Sequence, residues 1–285
     1  MPSKDKSEVR PFLKWAGGKT QLLPQLEELL PRTINTYFEP FIGGGAFFFH
    51  LANKNRFKRA VLNDWNPELV NAYRVVSDFT EELIEQLGQF EISKDYFLEI
   101  RATDPNDLSP VRRAARTIYL NKTAFNGLYR QNKKGQFNVP WGQYKNPRIL
   151  NPEVLRACGR VLNHYASLYT GDFSKSTEGA GEGDVVYFDP PYVPLSSTSN
   201  FRSYTSDGFT MDDQKRLAEH FKELVNRGAA VIASNSDTPE VHELYEGFER
   251  HTVKARRNIN SKGGKRGPVN ELIIVGRSDR NPTLT

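Results

Sequence analysis

The sequence predicts an α/β protein in which a doubly wound, mainly parallel sheet receives an inserted, mostly helical module that carries a β-hairpin. Three observations predict this fold. In the first and last thirds of the 285 residues, short apolar segments alternate with amphipathic helical patterns, which is typical of parallel strands covered on both faces. The middle third lacks this alternation. The composition, 38% hydrophobic and 26% charged, is that of a protein with a sizeable core.

The first third predicts a helix, a strand, a second helix and a second strand. Leucines at helical spacing predict a helix over 21–30, which ends before Pro31. Apolar residues predict strands over 36–40 and 59–64, and a helix beginning at Ala46 lies between them.

The last third returns to the same alternation. Strands are predicted over 185–188 and 229–233, with a helix over 211–225 between them. The segments 248–253 and 272–275 are predicted to close the sheet as an edge pair.

Residues 67–152 differ in character and predict a module inserted into a domain formed by residues 1–66 and 153–285. The predicted elements of the module are helices over 69–87 and 112–122, and a hairpin formed by 128–130 and 136–139 about a turn at 132–135.

Composition excludes several classes of protein. The mean hydropathy is −0.61, and no apolar stretch approaches the roughly 20 residues that a membrane span needs. The first residues lack the apolar region of a signal peptide, so we expect a cytoplasmic protein. The single cysteine, Cys158, rules out an internal disulfide and a cysteine-built metal site.

Positive charge is concentrated in two blocks. The formal net charge is +5, and no acid lies between Asp107 and Glu153 or in the run 250–266 that follows Glu249. The cations of the first block are Arg112, Arg113, Arg116, Lys122, Arg130, Lys133, Lys134, Lys145 and Arg148. One such block alone is typical of a solvated surface, whereas two blocks interleaved with aromatic and amide residues indicate a polyanionic partner.

A glycine cluster follows the first predicted strand and precedes a helix. Such a turn lets the backbone approach a ligand closely, and a strand-end carboxylate follows at Asp64, where a ribose-binding acid is expected. Gly43 and Gly45 fit the dinucleotide-binding pattern, but Phe48 stands where its third glycine belongs. A dinucleotide is therefore disfavoured, and a plain tight turn beside a surface acid is the alternative.

The segment Trp15-Ala16-Gly17-Gly18-Lys19-Thr20 is superficially similar to a phosphate-binding loop. That loop requires a glycine five positions before Gly18, where Leu13 stands. The nucleoside-triphosphatase interpretation is therefore rejected for the chain. A phosphate-binding role is kept only as an alternative for Lys19.

The tetrapeptide Asp189-Pro190-Pro191-Tyr192 directly follows a buried strand. Tandem prolines remove two amide donors and stiffen the turn, so the Asp189 carboxylate and the Pro190 carbonyl are predicted to point outward as acceptors. Two fixed acceptors beside an aromatic ring suit a planar base with an exocyclic amine. The alternative is a proline-stiffened loop with a capping aspartate.

Together with Asn63-Asp64 and the Asp-Pro-Pro-Tyr tetrapeptide, three further motifs carry a family resemblance: Phe12-Leu13-Lys14-Trp15-Ala16-Gly17-Gly18-Lys19, Phe38-Glu39-Pro40-Phe41-Ile42-Gly43-Gly44-Gly45, and Phe125-Asn126-Gly127-Leu128-Tyr129-Arg130 with Phe137-Asn138-Val139-Pro140. In this order they resemble the Dam family of S-adenosylmethionine-dependent DNA adenine-N6 methyltransferases. Within that family the chain is most similar to the modification methylases of Dpn-type restriction systems.

The resemblance implies a seven-stranded Rossmann-like methyltransferase sheet, with residues 67–152 as a DNA target-recognition domain and the rest as the catalytic domain. It implies the cofactor S-adenosyl-L-methionine, and the implied cofactor contacts are Trp15, Lys19, Phe41, Gly43, Asp64, Asp172, Phe173 and Asp189. The target adenine would be flipped out of the duplex and stacked on Tyr192. Asp189 and the Pro190 carbonyl would accept the two N6 protons. No covalent intermediate or metal is required, so we expect Cys158 to be structural.

An aspartate at the first tetrapeptide position favours adenine-N6, and the hairpin resembles readers of GATC. Arg130 is then expected to contact a guanine in the major groove. Its expected neighbours are Asn126, Leu128, Asn132 and Pro140, and the expected phosphate or flanking contacts are Lys14, Tyr144 and Lys145. In the loop 194–208, Tyr204 is expected to stack on the flipped base. The loop 258–268 is either a backbone clamp or a solvated loop.

Two alternatives stay open. One is an RNA adenine methyltransferase, which a hairpin suited to a DNA major groove disfavours. The other is a catalytically silent DNA-binding module, which the intact tetrapeptide disfavours. The favoured interpretation is a double-stranded DNA methylase acting within GATC, as the modification half of a restriction–modification system and without a stable protein partner.

Overall fold

The computed structural model describes residues 8–15, 19–132, 135–193, 209–256 and 268–277. Seven strands form one mixed sheet in the order β3-β2-β1-β4-β5-β7-β6. The strands are β1 Ile34–Glu39, β2 Phe57–Asp64, β3 Ala166–Thr170, β4 Val185–Phe188, β5 Ala230–Ser236, β6 Glu249–Arg256 and β7 Pro268–Gly276. β1 pairs in parallel with β2 and β4, and β4 with β5, whereas β7 runs antiparallel to both β5 and β6.

The structure contains the predicted helices and several that the sequence did not predict. They are α1 Leu23–Glu28, α2 Ala46–Asn53, α3 Pro67–Asp78, α4 Thr80–Gly88, α5 Lys94–Ala102, α6 Pro110–Thr123, α7 Pro152–Tyr165, α8 Phe173–Ser176, α9 Met211–Asn226 and α10 Pro239–Leu244. Short 3-10 turns lie at Pro105–Asp107 and Phe125–Gly127.

Internal contacts divide the chain into two units. The helical unit comprises Met1–Gly18, Gly43–Lys54 and Asp64–Thr170, and the sheet unit comprises Lys19–Ile42, Asn55–Asn63 and Gly171–Thr285. This division describes packing. The assignment of residues 67–152 to target recognition concerns function and stays a prediction.

The central strand β4 of the sheet unit is apolar along its whole length. Every residue of β4 is buried, and the strand packs with Phe221 and Leu224 of α9 in one apolar cluster. α9 begins with a capping box in which the Thr210 hydroxyl and the Asp213 carboxylate satisfy each other's backbone N–H. Between β1 and β4 the chain order of the sheet reverses, and in open α/β sheets ligands bind at the carboxyl ends of strands at such a point.

The helical unit has its own aromatic core. Phe97, Tyr119 and Phe137 are buried together, with Phe90 and Trp141 packed against them. The Tyr119 hydroxyl donates to the carbonyl of Glu91, which satisfies the one polar atom of that ring.

The structure confirms the predicted α/β class and the mainly parallel sheet, and it places each predicted strand within a few residues. The helical pattern over 69–87 forms two helices rather than one, because the backbone at Phe79 is not helical. The helices α5, α7, α8 and α10 and the strand β3 were not predicted. The predicted hairpin is reduced to one bridge, Gln131 with Phe137, supported by backbone hydrogen bonds on either side.

Candidate active site and nucleic-acid interface

The loop after β4 is locked in place by α9 and β5. Gln214 of α9 donates to the carbonyl of Pro191 at 2.8 Å and accepts from Asn235 of β5 at 3.0 Å. Asn235 in turn accepts from the backbone N–H of Val193 at 3.1 Å. Because tandem prolines supply no donors, the loop depends on this amide relay, which holds Asp189 at the end of the strand.

Four polar side chains of the sheet unit meet at this corner. The Lys19 ammonium lies 3.2 Å from Asp189 Oδ1 and 3.4 Å from Glu271 Oε2. It also donates to the hydroxyl of Tyr192 and lies 4.2 Å from the centre of its ring. The Tyr192 hydroxyl donates to Glu271 Oε2 at 3.1 Å.

The Asp189 carboxylate has an unusual electrostatic environment. Burial raises its pKa from the ordinary aspartate value, and the Lys19 ammonium opposes that rise while the Glu271 carboxylate adds to it. The side chain nevertheless keeps 21% of its surface exposed, so a ligand can reach it. A carboxylate with a raised pKa at the ligand-binding end of a sheet is typical of a functional group.

The remaining predicted contacts of the sheet unit surround an aromatic cluster. Phe41 lies 5.7 Å from Phe173 and 6.3 Å from Phe188, measured between ring centres. Phe173 is buried beneath the guanidinium of Arg216, which also binds the Asp172 carboxylate at 2.7 Å. Asp172 further caps α8 by accepting from Ser174. The family resemblance also implies that Asp172 and Phe173 flank the adenine of the cofactor, and this stays a prediction.

In the helical unit, the glycine loop is joined to the strand-end acid. The backbone N–H of Gly43 donates to Asp64 Oδ2 at 3.1 Å, and Tyr73 donates to the Gly43 carbonyl at 3.0 Å. Gly43 has φ +48°, and an added Cβ would lie 2.9 Å from Cδ1 of Trp15, whose indole stacks on Tyr129. Glycine is required here both by backbone conformation and by space.

Burial raises the pKa of Asp64, and hydrogen bonds from the backbone of Asn66, Gly43 and Trp65 oppose the rise. A carboxylate has about four acceptor positions, so these three leave capacity for a hydroxyl donor. The remaining acceptor capacity of Asp64 fits the ribose hydroxyls of a nucleoside-containing cofactor.

Most of the predicted base-reading residues on the 125–140 segment are exposed, whereas Leu128 is partly buried against the aromatic core of the helical unit. Arg130 is exposed, and its Nε donates to Asn138 Oδ1 at 2.8 Å, which orients the guanidinium. Asn126 is exposed with φ +56°, and Leu128 and Pro140 lie on the same segment. Asn132 bonds both the backbone and the side chain of Gln136, so the structure gives it a role in holding the turn.

A buried amide that sequence reasoning missed connects this segment to the N-terminal motif. Asn121 accepts from the backbone N–H of Lys14 at 2.8 Å and donates to the carbonyls of Lys14 and Gly127. The Lys14 ammonium lies 5.1 Å from the centre of the Tyr144 ring. The predicted flanking contacts Lys14 and Tyr144 are therefore adjacent to each other.

A cavity of about 570 Å³ opens beside them, within the helical unit. Its cations are Arg10, Lys14, Lys122, Lys145 and Arg148, and among the described residues that line it none is acidic. Burial and the neighbouring cations Lys14 and Arg10 lower the pKa of Lys122 to about 8. An unneutralised cluster of this kind attracts phosphate.

Other cations of the same block are used inside the protein. Arg113 is ion-paired with Glu68, and the buried guanidinium of Arg116 donates to the carbonyls of Ile100 and Arg101. Only some of the cations in the acid-free block are therefore available to bind an anionic partner. Cys158 is buried, its thiol donates to the Arg10 carbonyl at 3.2 Å, and burial raises its pKa to about 12, so it is not a thiolate near neutral pH.

Some predictions lie outside the described residues, namely those for Tyr204, for the loop 194–208 and for residues 258–267 of the second basic run. In the part of the chain that the structure describes, no helix is long and apolar enough to cross a membrane. Within the same part, no three His, Cys, Asp or Glu side chains are grouped in a way that would hold a metal ion.

Two further residues escaped sequence reasoning. Glu271 stands within a largely apolar strand and is distinguished by its pairings with Lys19 and Tyr192, both distant in the sequence. Trp65 directly follows Asp64 and is 73% exposed, which is unusual for an indole. Its position in the sequence, next to a candidate ribose-binding residue, is the signal that could have identified it.

Comparison with known proteins identifies the family of the chain. A family model described as "D12 class N6 adenine-specific DNA methyltransferase" matches residues 15–259. Type II methyltransferase M1.LlaDCHI of Lactococcus lactis subsp. cremoris is 48% identical over 95% of this chain and 97% of its own length. Type II methyltransferase M.MjaIII of Methanocaldococcus jannaschii is 44% identical, covering 94% and 99% of the two chains. The DNA adenine methylase of Escherichia coli is 37% identical, covering 93% and 95%.

The fold and the matched family define an α/β DNA methyltransferase with a Rossmann-like sheet. More particularly, the chain belongs to the D12 class of N6 adenine-specific DNA methyltransferases.

Proposed function

We propose that the chain transfers a methyl group from S-adenosylmethionine to N6 of an adenine flipped out of double-stranded DNA, within GATC. The observation that carries the proposal is the Asp189 corner, where a stiff loop presents a partly exposed carboxylate beside an aromatic ring. When bound, S-adenosylmethionine supplies an activated methyl group on a sulfonium. The residues that would hold it include Trp15, Lys19 and Asp64.

The chain's own groups prepare the nitrogen. Asp189 and the Pro190 carbonyl each accept a hydrogen bond from the N6 amino group, which orients the nitrogen lone pair toward the methyl group. The methylated nitrogen would then lose one proton, for which the Asp189 carboxylate is the acceptor. Tyr192 stacks on the extruded base, for which about 1–3 kcal/mol per base is usual. Asp189 must be ionised to accept a proton, so its raised pKa makes activity sensitive to acid.

The cofactor contacts are supported in each unit separately. In the helical unit, Asp64 keeps acceptor capacity for a ribose, and Trp65 presents an exposed indole beside it that suits an adenine ring. In the sheet unit, Lys19 provides a cation for a carboxylate.

Binding to duplex DNA is supported by the exposed Arg130 and by the basic cavity. A guanidinium held through Nε suits the bidentate contact to guanine. The cavity suits phosphates, which set affinity rather than sequence. Relatives named Type II methyltransferases at 48% and 44% identity support a role as the modification half of a restriction–modification system.

The test is methyl transfer from labelled S-adenosylmethionine to matched duplexes. We expect incorporation into a GATC duplex as N6-methyladenine, identified by mass spectrometry, and little into a duplex with the same bases in scrambled order. DNA binding without transfer would favour the silent module, and transfer only to RNA would favour the RNA enzyme. Either result would refute the proposal. For the restriction–modification role, modified plasmid DNA should resist an endonuclease that cuts unmethylated GATC.

A further inference from the structure

Glu271 is a buried carboxylate in the middle of a strand. It lies on β7, opposite Ser236 of β5 and Val253 of β6, and only 6% of its surface is exposed. Burying a carboxylate is costly unless it is paired and hydrogen-bonded. Its partners are the Lys19 ammonium at 3.4 Å and the Tyr192 hydroxyl at 3.1 Å.

Lys19 is shared among three acceptors. An ammonium has three N–H donors, and the described contacts of Lys19 are one oxygen each of Asp189, Tyr192 and Glu271. Two carboxylates and one ammonium leave this group with one net negative charge. Were Glu271 absent, Lys19 would be free to pair with Asp189 alone and to occupy the acceptor that the target amino group needs.

We propose that Glu271 is a positioning residue for methyl transfer, which acts through Lys19 and Tyr192 to keep the Asp189 carboxylate available as an acceptor. The inference rests on the proposed function. Glu271 shares the ammonium with Asp189 and fixes the Tyr192 ring by its hydroxyl. The surplus negative charge also complements a cationic methyl donor.

The groups that face Asp189 come from several elements. They are Lys19, Tyr192 of the same loop, Tyr187 of β4, Tyr37 of β1 and Glu271 of β7. The pKa values of the three tyrosines are raised well above the ordinary value by burial, so these phenols stay neutral. Lys19 and Glu271 are therefore the charges that control when Asp189 ionises.

The test is steady-state kinetics of Glu271→Gln against pH. This change keeps the size of the side chain and removes its charge. We expect kcat to fall by about tenfold to a hundredfold, the scale of one charged hydrogen bond, with little change in KM for DNA. We also expect the acid limb of kcat/KM to move to lower pH, because the repulsion that helps to raise the pKa of Asp189 is lost. A purely structural residue would not move that limb.

Two further variants serve as controls for Glu271→Gln. Glu271→Asp keeps the charge, so its acid limb should stay near that of the wild type while kcat falls. Glu249→Gln makes the same charge change on the neighbouring strand β6, where the side chain is 51% exposed, and should leave kcat and the acid limb unchanged.

A wild-type kcat and an unmoved acid limb in Glu271→Gln would overturn the inference. Should that variant fail to fold, Glu271→Asp and Tyr192→Phe carry the test, since the latter removes the same hydrogen bond from its other end. Wild-type kcat in both would also overturn it. A wild-type protein that transfers no methyl group would instead refute the proposed function itself.

Discussion

The backbone N–H of Gly43 donates to Oδ2 of Asp64 at 3.1 Å, so the glycine-rich loop and the end of β2 are joined by a charge-assisted hydrogen bond. Asn66 donates its N–H to the other oxygen at 3.0 Å and also begins α3 as its N-cap. The carboxylate is thus oriented by the two segments that flank it. Preorganised in this way, it can bind hydroxyls without first being ordered.

Asp64→Asn is expected to weaken S-adenosylmethionine binding by about tenfold to a hundredfold, because a charged acceptor is replaced by a neutral amide. Isothermal titration calorimetry measures this affinity directly. The exposed Asp78, at the end of α3, provides the control: Asp78→Asn should bind the cofactor as the wild type does. Unchanged affinity in Asp64→Asn would remove Asp64 from the cofactor site.

Gly43→Ala is expected to lower both the free energy of unfolding and the cofactor affinity. The backbone at Gly43 has φ +48°, and the new Cβ would meet the Trp15 indole at 2.9 Å. Gly135→Ala separates the cost of the backbone conformation from the cost of the steric contact. Gly135 also has a positive φ, +75°, but an added Cβ there would meet no neighbouring atom. Chemical denaturation should show a loss of about 1 kcal/mol for Gly135→Ala, the backbone cost, and a larger loss for Gly43→Ala. Equal losses would mean that Trp15 moves aside without cost.

Apolar segments in the sequence allowed the strands other than β3 to be located, whereas β3 is largely exposed and was missed. β4 was predicted to the residue, and Asp189 follows it directly. α5 was missed because Phe97 is its one buried residue, so its sequence carries little helical periodicity. Glu271 and Asn121 were missed for another reason. Their roles depend on pairings with residues 252 and 107 positions away, which no local pattern reveals.

Asp189→Ala is expected to abolish methyl transfer while leaving the fold intact. The loop is held by Gln214 and Asn235 rather than by Asp189, so circular dichroism and the unfolding transition should be near those of the wild type. Base flipping, followed by the fluorescence of 2-aminopurine in place of the target adenine, should persist because Tyr192 remains. The control is Asp212→Ala, on the exposed side of α9, where the side chain is 93% exposed. Full activity in Asp189→Ala would refute the proposed chemistry.

Arg130→Ala is expected to lower the sequence specificity of DNA binding, whereas Lys145→Ala is expected to lower the affinity for every duplex. Loss of a bidentate guanine contact should reduce discrimination against a substituted base pair by about 1–3 kcal/mol. Loss of a phosphate contact should weaken binding to every duplex and reduce the slope of log affinity against log salt by about 1. Fluorescence anisotropy over a range of salt concentrations, with cognate and substituted duplexes, measures both quantities. Equal effects on all duplexes in Arg130→Ala would show that Arg130 contacts phosphate instead.

We expect Lys122 to make DNA binding dependent on pH. Its pKa is lowered to about 8 by burial and by the cations Lys14 and Arg10, so its charge is largely present at pH 7 and largely lost by pH 9. We expect the salt slope of DNA binding to decrease by about 1 over this interval. Bound phosphate favours the ammonium, so binding near pH 8 should take up protons, which calorimetry in buffers of different ionisation enthalpy detects.

Two substitutions distinguish Lys122 from the other cations of the cavity. Lys122→Met should remove the pH dependence, and Lys122→Arg should keep the full salt slope at pH 9 because a guanidinium stays charged. The free energy of unfolding is expected to change with pH in the direction opposite to DNA binding. The folded pKa lies below the unfolded value, so unfolding takes up a proton between about pH 8 and 10.5, and the free energy of unfolding rises with pH across that window. Lys122→Met should therefore be more stable than the wild type at pH 7, where burying the charge costs most. A pH-independent salt slope in the wild type would show that Lys122 lies away from the bound phosphates.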